Sequence, residues 1–357
     1  MTDREKLELL NRQITYARNN CKFYAALPAA PLETLADLKN LPFTTAQDLV
    51  LHGKDMLCCS AKEVKRMVTM QTSGTTAAPK RLAFTQTDLE QTVDFFHWGM
   101  HALCDTGDKV AIFMPGRQPD GLCDLLSRGL ARFGAVPLVY GIIENYRDAA
   151  DFCLREKPGV LVGIPAQIRR LALTAPDILP QRVLLSADYI SPALKDTLAR
   201  IWGCEVYEHF GMTETGLGCA VETPLRQGML CRRDIWLELV EDEIVLTTLN
   251  RQAMPLIRYR TGDLGRMLPN GNLAAVLGRK AERNRALSIT KLDDILFGLD
   301  EILDYRATLQ GNKLTAILLG PEHRASAALR SALASYAITI ATGEDSDFRF
   351  CGKRKLT

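Results

Sequence analysis

Residues 109–202 alternate between short apolar runs and longer amphipathic segments, and this alternation constrains the fold more than any other feature. The apolar runs are KVAIFM (109–114), VPLVY (136–140), GVLVGI (159–164) and RVLLSA (182–187). Between and after them, apolar residues recur with helical spacing over 120–133, 145–156, 166–174 and 191–202. Continuous apolar strands that alternate with amphipathic helices predict βαβ units and mostly parallel sheets flanked by helices.

The segments on either side of this region have different patterns. At the N-terminus, MTDREKLELLNRQ is charged and predicts a helix rather than a signal peptide. The capping-box pattern from Thr87 to Glu90 predicts the start of another helix, which should end near Gly107. That helix carries an apolar stripe of Leu89, Val93, Phe96, Met100 and Leu103.

From about residue 230 the pattern changes to antiparallel strands. DIWLELV and EIVLTTL are joined by Glu241-Asp242, which predicts a hairpin. We place a domain boundary at Gly278–Arg279, and the last 80 or so residues read as a connector, a helix and strands. The predicted fold is therefore α/β, with a large domain of residues 1–277 that includes the antiparallel section and a small α+β domain of residues 278–357.

Composition excludes several classes of function. A net charge of +2 gives no case for nucleic acid or an anionic membrane as partner, and no apolar run is long enough to span a membrane. The ten cysteines are scattered without CxxC spacing, which predicts reduced thiols in the cytoplasm rather than a zinc site or disulfides. His97 and His101 have the spacing of metal ligands on a helix, but no third ligand candidate is apparent, so we expect them to pack or to line an acyl pocket.

The loop MQTSGTTAAPK (70–80) concentrates hydroxyls, a glycine and a lysine between two strand-like runs. Such a loop can direct backbone N–H groups, hydroxyls and an ammonium group at phosphate oxygens. It is not the GxxxxGK[ST] phosphate loop, and taken alone it could equally be a solvated hairpin turn. Two further polar segments, SADYI (186–190) and YEHFGMTET (207–215), follow predicted strands, where parallel sheets bind ligands.

Three motifs in order resemble those of the adenylate-forming enzymes, which include acyl- and aryl-CoA ligases, luciferases and peptide-synthetase adenylation domains. The loop SGTTAAPK (73–80) resembles their phosphate loop, YEHFGMTE (207–214) their aromatic-Gly-x-Thr-Glu element, and RYRTGD (258–263) their Tyr-x-Thr-Gly-Asp element. Residues Gly278-Arg279 are similar to the start of their hinge. The phenylacetate-CoA ligase branch is most similar, through LPFTTAQDL (41–49), CEVYEHFGMTETGLG (204–218) and TTLNRQAMPLIRYRTGDL (247–264).

The resemblance implies a site for ATP and Mg²⁺. Glu214 would bind Mg²⁺, Phe210 would stack on adenine, and Asp263 would accept hydrogen bonds from both ribose hydroxyls. Arg279 would reach the ribose or a phosphate. The ATP phosphates would lie against Ser73, Gly74, Thr75, Thr76 and Lys80, and the rest of the nucleotide site and motif would include Ser186, Ala187, Asp188, His209, Gly211 and Thr213.

The C-terminal part departs from the family pattern. A catalytic lysine is expected near the end of a rotating lid domain, and Lys353 is the best match, although the basic tail could be only a solvated end. Lys280 stands where an acidic hinge residue is usual, and Ser288 where a glycine lets pantetheine pass. Ala77 replaces a loop glycine, and the cysteine cluster of many relatives is absent.

The resemblance implies adenylation of a small acyl or aryl carboxylic acid, with release of pyrophosphate and then formation of a thioester with CoA. One alternative is transfer of the acyl group to a carrier or an amine without CoA. Another is a non-catalytic relative that only binds nucleotide or carboxylate. The family also suggests a homodimer, whereas the identity of the acid cannot be read from these residues.

Overall fold

The computed structural model describes residues 2–70, 79–283, 287–349, 352 and 354–357. Its α-helices are α1 (Asp3–Asn20), α2 (Ala46–His52), α3 (Gln86–His101), α4 (Leu122–Ala131), α5 (Tyr146–Glu156), α6 (Pro165–Thr174), α7 (Pro192–Trp202), α8 (Ile289–Leu296) and α9 (Glu322–Ala332). Its strands are β1 (Arg66–Met70), β2 (Lys80–Phe84), β3 (Lys109–Phe113), β4 (Val136–Val139), β5 (Val160–Gly163), β6 (Arg182–Leu185), β7 (Glu205–Phe210), β8 (Ala220–Glu222), β9 (Met229–Cys231), β10 (Ile235–Val240), β11 (Glu243–Thr248), β12 (Tyr259–Met267), β13 (Leu273–Arg279), β14 (Asp304–Gln310), β15 (Lys313–Leu319) and β16 (Ala337–Thr342).

The chain divides into two compact units, each made of two segments. Unit 1 comprises residues 1–99 and 210–280, and unit 2 comprises residues 100–209 and 281–357. The chain passes from one unit to the other after residues 99, 209 and 280, and the last of these points is close to the predicted boundary at Gly278–Arg279. However, the C-terminal segment belongs to the same unit as residues 100–209, so these units differ from the predicted domains 1–277 and 278–357. That domain division stays a prediction.

Unit 2 contains the predicted βαβ region. Strands β4, β3, β5, β6 and β7 lie side by side in that order and pair in parallel. Helices α4 to α7 alternate with these strands along the chain. All four residues of β5 are buried, as expected for a strand covered on both faces. The strands and helices predicted between residues 109 and 202 are therefore confirmed.

The C-terminal segment of unit 2 forms a small α+β layer. Strand β14 pairs antiparallel with β15, β15 pairs parallel with β16, and helices α8 and α9 accompany them. Leu292 and Phe297 belong to the same buried core as Leu194 and Leu198 of α7. Fully buried Arg169 of α6 donates to the carbonyls of Ile302 at 2.7 Å and Leu299 at 2.8 Å. One core therefore includes both segments of this unit.

Unit 1 contains the antiparallel strands and the hairpin beside the phosphate-loop candidate. Strands β10, β11, β12, β13, β9 and β8 are neighbours in that order and pair antiparallel. Glu241 and Asp242 both have positive φ, at 53° and 65°, which suits the tight turn of the predicted β10–β11 hairpin. Strands β1 and β2 pair antiparallel with Met70 opposite Lys80. The mixed α/β fold class is confirmed.

One predicted helix start is wrong. Helix α3 begins at Gln86, and its capping box is formed by Thr85 and Asp88 rather than Thr87 and Glu90. Asp88 rather than Glu90 forms the capping box because its buried carboxylate also accepts the backbone N–H groups of Gln252 at 2.8 Å and Ala253 at 3.0 Å. The predicted apolar stripe of this helix is buried throughout, as expected. No helix within the described ranges has the length and apolar character to cross a membrane.

Candidate active site

Glu214 lies on a tight turn in unit 1. Residues Thr213–Thr215 form a single 3₁₀ turn after β7, and Gly216 ends it in the left-handed conformation with φ of 72°. A Cβ atom at Gly216 would lie 2.8 Å from the hydroxyl of Thr92, which donates a hydrogen bond to the Gly216 carbonyl at 2.9 Å. Only glycine fits this position, and the turn thereby holds Glu214 in one place.

The carboxylate of Glu214 is 4% exposed and has two hydrogen-bond donors on the same oxygen. The ammonium group of Lys80 and the hydroxyl of Tyr259 both donate to Oε1, the latter at 2.9 Å. No described residue donates a hydrogen bond to Oε2. The structure thus joins two predicted site residues, Lys80 and Glu214, and leaves one carboxylate oxygen available for a ligand.

Tyr259 is a site residue to which the sequence motif gave no separate role. Its side chain is fully buried at the start of β12, and burial raises the pKa of its hydroxyl, as do the charge and hydrogen bond of Glu214. The hydroxyl therefore stays a proton donor. Tyr259, Thr261 and Asp263 are all buried, with less buried residues between them. The two-residue period of a strand could have indicated that Tyr259 faces the site.

Asp263 is oriented by an irregularity in β12. Its neighbour Gly262 has φ of 74°, and the pairing with β11 shifts register between Glu243 and Val245. The Thr261 hydroxyl donates to the Ile244 carbonyl at 2.7 Å and accepts the Asp263 N–H at 3.0 Å. Bulges of this kind redirect side chains beside functional sites.

Arg279 binds Asp263 through one oxygen. Arg279 Nη1 donates to Asp263 Oδ1 at 2.6 Å, whereas Oδ2 is buried and has no hydrogen-bond partner among the described residues. Burial acts to lower the pKa of Arg279, but the charge and hydrogen bond of Asp263, with the charge of Glu214, raise it. An unpaired buried acceptor beside a fixed cation fits a ligand that brings hydroxyl donors, as ribose does.

The donor set around Glu214 fits magnesium bound together with phosphate rather than a protein-only metal centre. Within the described ranges, no group of three or more His, Cys, Asp or Glu side chains could hold a metal, and this includes His97 and His101. Mg²⁺ typically uses one or two carboxylates and completes its shell with water and substrate phosphates. The available Oε2 of Glu214 meets that requirement.

In unit 2, Ser186, Ala187 and Asp188 of the predicted nucleotide site directly follow β6, and His209 lies near the end of the neighbouring strand β7. The hydroxyl of Ser186 lies 2.7 Å from Nδ1 of His209, and burial lowers the pKa of His209 to about 4. The imidazole is therefore neutral near pH 7. Ala187 has φ of 75°, an uncommon conformation for a residue with a side chain. Asp188 accepts the N–H groups of Tyr189 at 2.9 Å and Arg354 at 3.0 Å.

Arg354 shows that the basic tail is more than a solvated end. Its side chain is 16% exposed and donates to Asp293 at 3.2 Å, to Asp304 at 2.7 Å and to the Tyr305 carbonyl at 3.0 Å. Its guanidinium also lies 4.8 Å from the ring centre of Phe297. Sequence reasoning missed this cluster because its members come from distant parts of the chain.

Some of the remaining predicted residues lie within the described ranges, and others lie outside them. Phe210 ends β7 and is buried, and Gly211 and Thr213 follow it towards Glu214. Ser288, at the position where the resemblance implies a glycine, caps α8 by accepting the Lys291 N–H at 3.2 Å. Five predicted site residues lie outside the described ranges, namely Ser73, Gly74, Thr75, Thr76 and Lys353.

Comparison with known proteins identifies the family. The family model described as "AMP-binding enzyme" matches residues 33–234, more than half of the chain. A phenylacetate-coenzyme A ligase of Pseudomonas putida is 26% identical over 294 residues, which cover 74% of this chain and 66% of that protein. A phenylacetate-coenzyme A ligase of Escherichia coli is also 26% identical, over 66% of this chain and 59% of that protein. The match thus spans 66% and 59% of the length of these two relatives.

A solved structure supports the same fold. A 2-hydroxyisobutyryl-CoA ligase in the postadenylation state, in complex with 2-HIB-AMP, has a TM-score of 0.81 and 18% identity. The match covers 98% of this chain and 89% of that chain. The predicted resemblance to adenylate-forming enzymes, and to their phenylacetate-CoA ligase branch, is confirmed by these matches. The chain belongs to the AMP-binding enzyme family.

Proposed function

We propose that this protein activates a small acyl or aryl carboxylic acid with ATP and transfers the acyl group to CoA. In the first step a carboxylate oxygen of the acid attacks the α-phosphorus of ATP, and the bond to the bridging oxygen breaks to release pyrophosphate. In the second step the CoA thiolate attacks the acyl carbonyl, and AMP leaves with the bonding electrons. The products are the thioester, AMP and pyrophosphate.

The contact of Lys80 and Tyr259 with a single oxygen of Glu214 carries this proposal. Such an arrangement places an ammonium group and an available carboxylate oxygen side by side, which suits binding of phosphates together with a metal ion. Bound Mg²⁺ would neutralise phosphate charge as pyrophosphate leaves. Asp263 would orient the ribose through its unpaired Oδ2, with Arg279 fixing the carboxylate.

These residues act by positioning and by charge, as is general for transfers at phosphorus. Such reactions demand little covalent chemistry from the protein, so alignment of the reacting atoms supplies much of the rate. Lys353 stays our proposal for the lysine that reaches the α-phosphate. Ser73, Gly74, Thr75 and Thr76 stay proposed phosphate ligands.

Carboxylate-dependent exchange of labelled pyrophosphate into ATP tests the first step across a panel of acyl and aryl acids. We expect exchange with at least one acid, and at least a tenfold loss in Glu214→Ala. Glu222→Ala is the control. Glu222 is also in unit 1, but its carboxylate forms an ion pair with Arg226, at a distance of 3.0 Å. Retained ATP binding without exchange for any acid would refute the enzymatic proposal and support a non-catalytic binding protein.

The acyl acceptor is tested separately by mass spectrometry of the products. Thioester that forms only when CoA is added supports the proposed second step. Exchange without thioester would instead support transfer to a carrier or an amine, an alternative prompted by Lys280 and Ser288 at positions where relatives differ. A cytoplasmic location and a homodimer stay predictions, which fractionation and light scattering can check.

A further inference from the structure

Glu214 already has a cationic partner in the protein itself. Lys80 donates to Oε1 of the carboxylate, and no other described residue accepts a hydrogen bond from its ammonium group. A buried carboxylate that loses the partner of its ion pair is strongly destabilising, because its charge is then left without compensation. Lys80 therefore supplies the countercharge for the buried carboxylate of Glu214.

The two partners of Glu214 differ in how firmly they are held. Tyr259 is 1% exposed, and its backbone is paired on both sides, with Leu246 of β11 and with Thr44. Lys80 is 14% exposed and is the first residue of β2, and its long side chain can rotate without backbone change. The hydroxyl is a fixed donor, whereas the ammonium group is free to exchange this acceptor for another.

We propose that Glu214 exchanges one cation for another when nucleotide binds. Without nucleotide, Lys80 occupies the carboxylate and excludes divalent metal. When ATP binds, its phosphate oxygens take the ammonium group of Lys80, and the carboxylate becomes available to the metal that accompanies the nucleotide. Tyr259 holds Oε1 in both states and keeps Oε2 in one direction. This inference rests on the proposed role of Glu214 as the magnesium ligand.

Electrostatics explains why the two cations compete. Two positive charges held at one carboxylate in a partly buried site repel each other strongly, because the effective dielectric constant there is well below that of water. A metal at Oε2 would lie close to an ammonium group at Oε1 of the same carboxylate. When phosphate oxygens are present, they bind the ammonium group of Lys80. The metal can then bind the carboxylate of Glu214 without leaving the charge of Lys80 uncompensated. Metal and nucleotide should therefore bind together.

Metal binding to the nucleotide-free protein tests the exchange without any turnover. We would measure Mn²⁺ affinity by electron paramagnetic resonance in the wild type, in Lys80→Gln and in Lys80→Gln combined with Glu214→Gln. We expect at least tenfold tighter Mn²⁺ binding in Lys80→Gln than in the wild type, and loss of this gain in the double variant. Equal affinity in the wild type and Lys80→Gln, or a gain that persists in the double variant, would overturn the proposal.

A matched control removes another lysine from another buried carboxylate. Lys280 donates to Glu243 at 2.9 Å in the same unit, and Glu243 keeps Arg260 at 2.6 Å as a second cation. Lys280→Gln should therefore leave Mn²⁺ affinity within twofold of the wild type. A tenfold gain in this control would show that removing any lysine creates a metal site, and would count against a specific exchange.

Lys80→Arg keeps the positive charge and so tests the idea even if Lys80→Gln does not fold. A guanidinium group can bind both carboxylate oxygens of Glu214 at once and would occupy Oε2. We expect Mn²⁺ binding in the presence of ATP, without acid, to be at least tenfold weaker in Lys80→Arg than in the wild type. Unchanged affinity would overturn the exchange.

The outcomes separate this inference from the proposed function. The wild type could show pyrophosphate exchange that depends on Glu214, while Mn²⁺ affinity is unchanged by substitution of Lys80. In that case only the proposed replacement of Lys80 by the metal at Glu214 is refuted. If the wild type shows no pyrophosphate exchange with any acid, the adenylation proposal fails first. Mn²⁺ binding that depends on Lys80 and Glu214 would then still establish the exchange as a property of a nucleotide-binding protein.

Discussion

Asp263 and Arg279 are joined through only one of the two carboxylate oxygens: Oδ1 accepts Nη1 at 2.6 Å, while Oδ2 is buried without a partner among the described residues. Leaving a buried acceptor unsatisfied costs about 1–3 kcal/mol. A ribose hydroxyl would remove this cost, so nucleotide affinity should depend on both the hydroxyl and the carboxylate.

We therefore predict that the wild type binds ATP at least tenfold more tightly than 2′-deoxy-ATP or 3′-deoxy-ATP. Asp263→Asn should bind all three nucleotides with similar, weaker affinity, because the carboxylate that distinguishes them is gone. Calorimetric titration without acid measures this. Asp234→Asn is the control, since Asp234 also pairs with an arginine in unit 1, Arg232 at 2.6 Å. Full discrimination in Asp263→Asn would contradict the assignment to ribose.

Gly262→Ala should weaken nucleotide binding through the backbone. At φ of 74°, a residue with a Cβ atom costs about 1–2 kcal/mol, even though no atom of the described residues, apart from the two chain neighbours, lies within 4 Å of the added carbon. Relief of this strain would move Asp263, so we expect both a lower melting temperature and at least a fivefold loss of ATP affinity, measured by calorimetry.

Gly271→Ala is the matched control for this change. Gly271 has φ of 83° and equally open surroundings, but it lies in the turn between β12 and β13, away from Asp263 in sequence. It should show a similar loss of stability with unchanged ATP affinity. An equal affinity loss in the two variants would mean that general destabilisation, rather than the position of Asp263, controls binding.

Much of the fold could be predicted because its signals are local. Each strand from β3 to β6 is a short apolar run, and each following helix has an apolar stripe, so neighbouring residues suffice to indicate both. The turn at Glu241-Asp242 was likewise evident from two adjacent hairpin strands. The capping box of α3 was misplaced because Asp88 is selected by Gln252 and Ala253, which are distant in sequence.

The sequence predicts which residues belong to the candidate site, but it does not predict which of them contact each other. Motif resemblance indicated Lys80, Glu214, Asp263 and Arg279, and the structure pairs them two by two. That Tyr259 shares the same oxygen of Glu214 depends on the register between segments 45 residues apart. No local pattern encodes such a register, because it is set by how whole strands pack.

The stability of the protein should fall between pH 6.5 and pH 4 partly because of His209. Burial lowers the pKa of His209 to about 4, whereas an unfolded histidine has a pKa near 6.5. The unfolded state therefore binds more protons than the folded state in this range. The contribution of neutral His209 to the free energy of unfolding is present above pH 6.5 and is lost as pH falls towards 4. The effect is at most about 3 kcal/mol.

Chemical denaturation at several pH values compares the wild type with His209→Gln, which keeps a polar side chain that does not titrate. We expect a shallower loss of unfolding free energy between pH 6.5 and 4 in the variant. Replacement of the exposed His323 by Gln should leave the wild-type slope unchanged. A slope in His209→Gln equal to that of the wild type would show that other groups account for the pH dependence.

Arg354→Gln should destabilise the C-terminal segment of unit 2. Arg354 is the shared cation of the buried carboxylate of Asp293 and the partly buried carboxylate of Asp304, and burial raises the pKa of Asp293 to about 7 despite the charge of Arg354. Removing the cation leaves two carboxylates close together, at a cost of about 3 kcal/mol or more. We expect a lower melting temperature and faster hydrogen exchange across α8 and β14.

Arg306→Gln is the control for Arg354→Gln, because Arg306 is exposed on β14 and, among the described residues, donates only to the Arg349 carbonyl at 3.0 Å. It should alter the melting temperature by less than 1 °C. Adding Asp293→Asn to Arg354→Gln should recover part of the lost stability, since one of the uncompensated charges is then removed. Equal exchange rates in the two arginine variants, or no recovery in the combined variant, would show that Arg354 does not hold this segment through its charge.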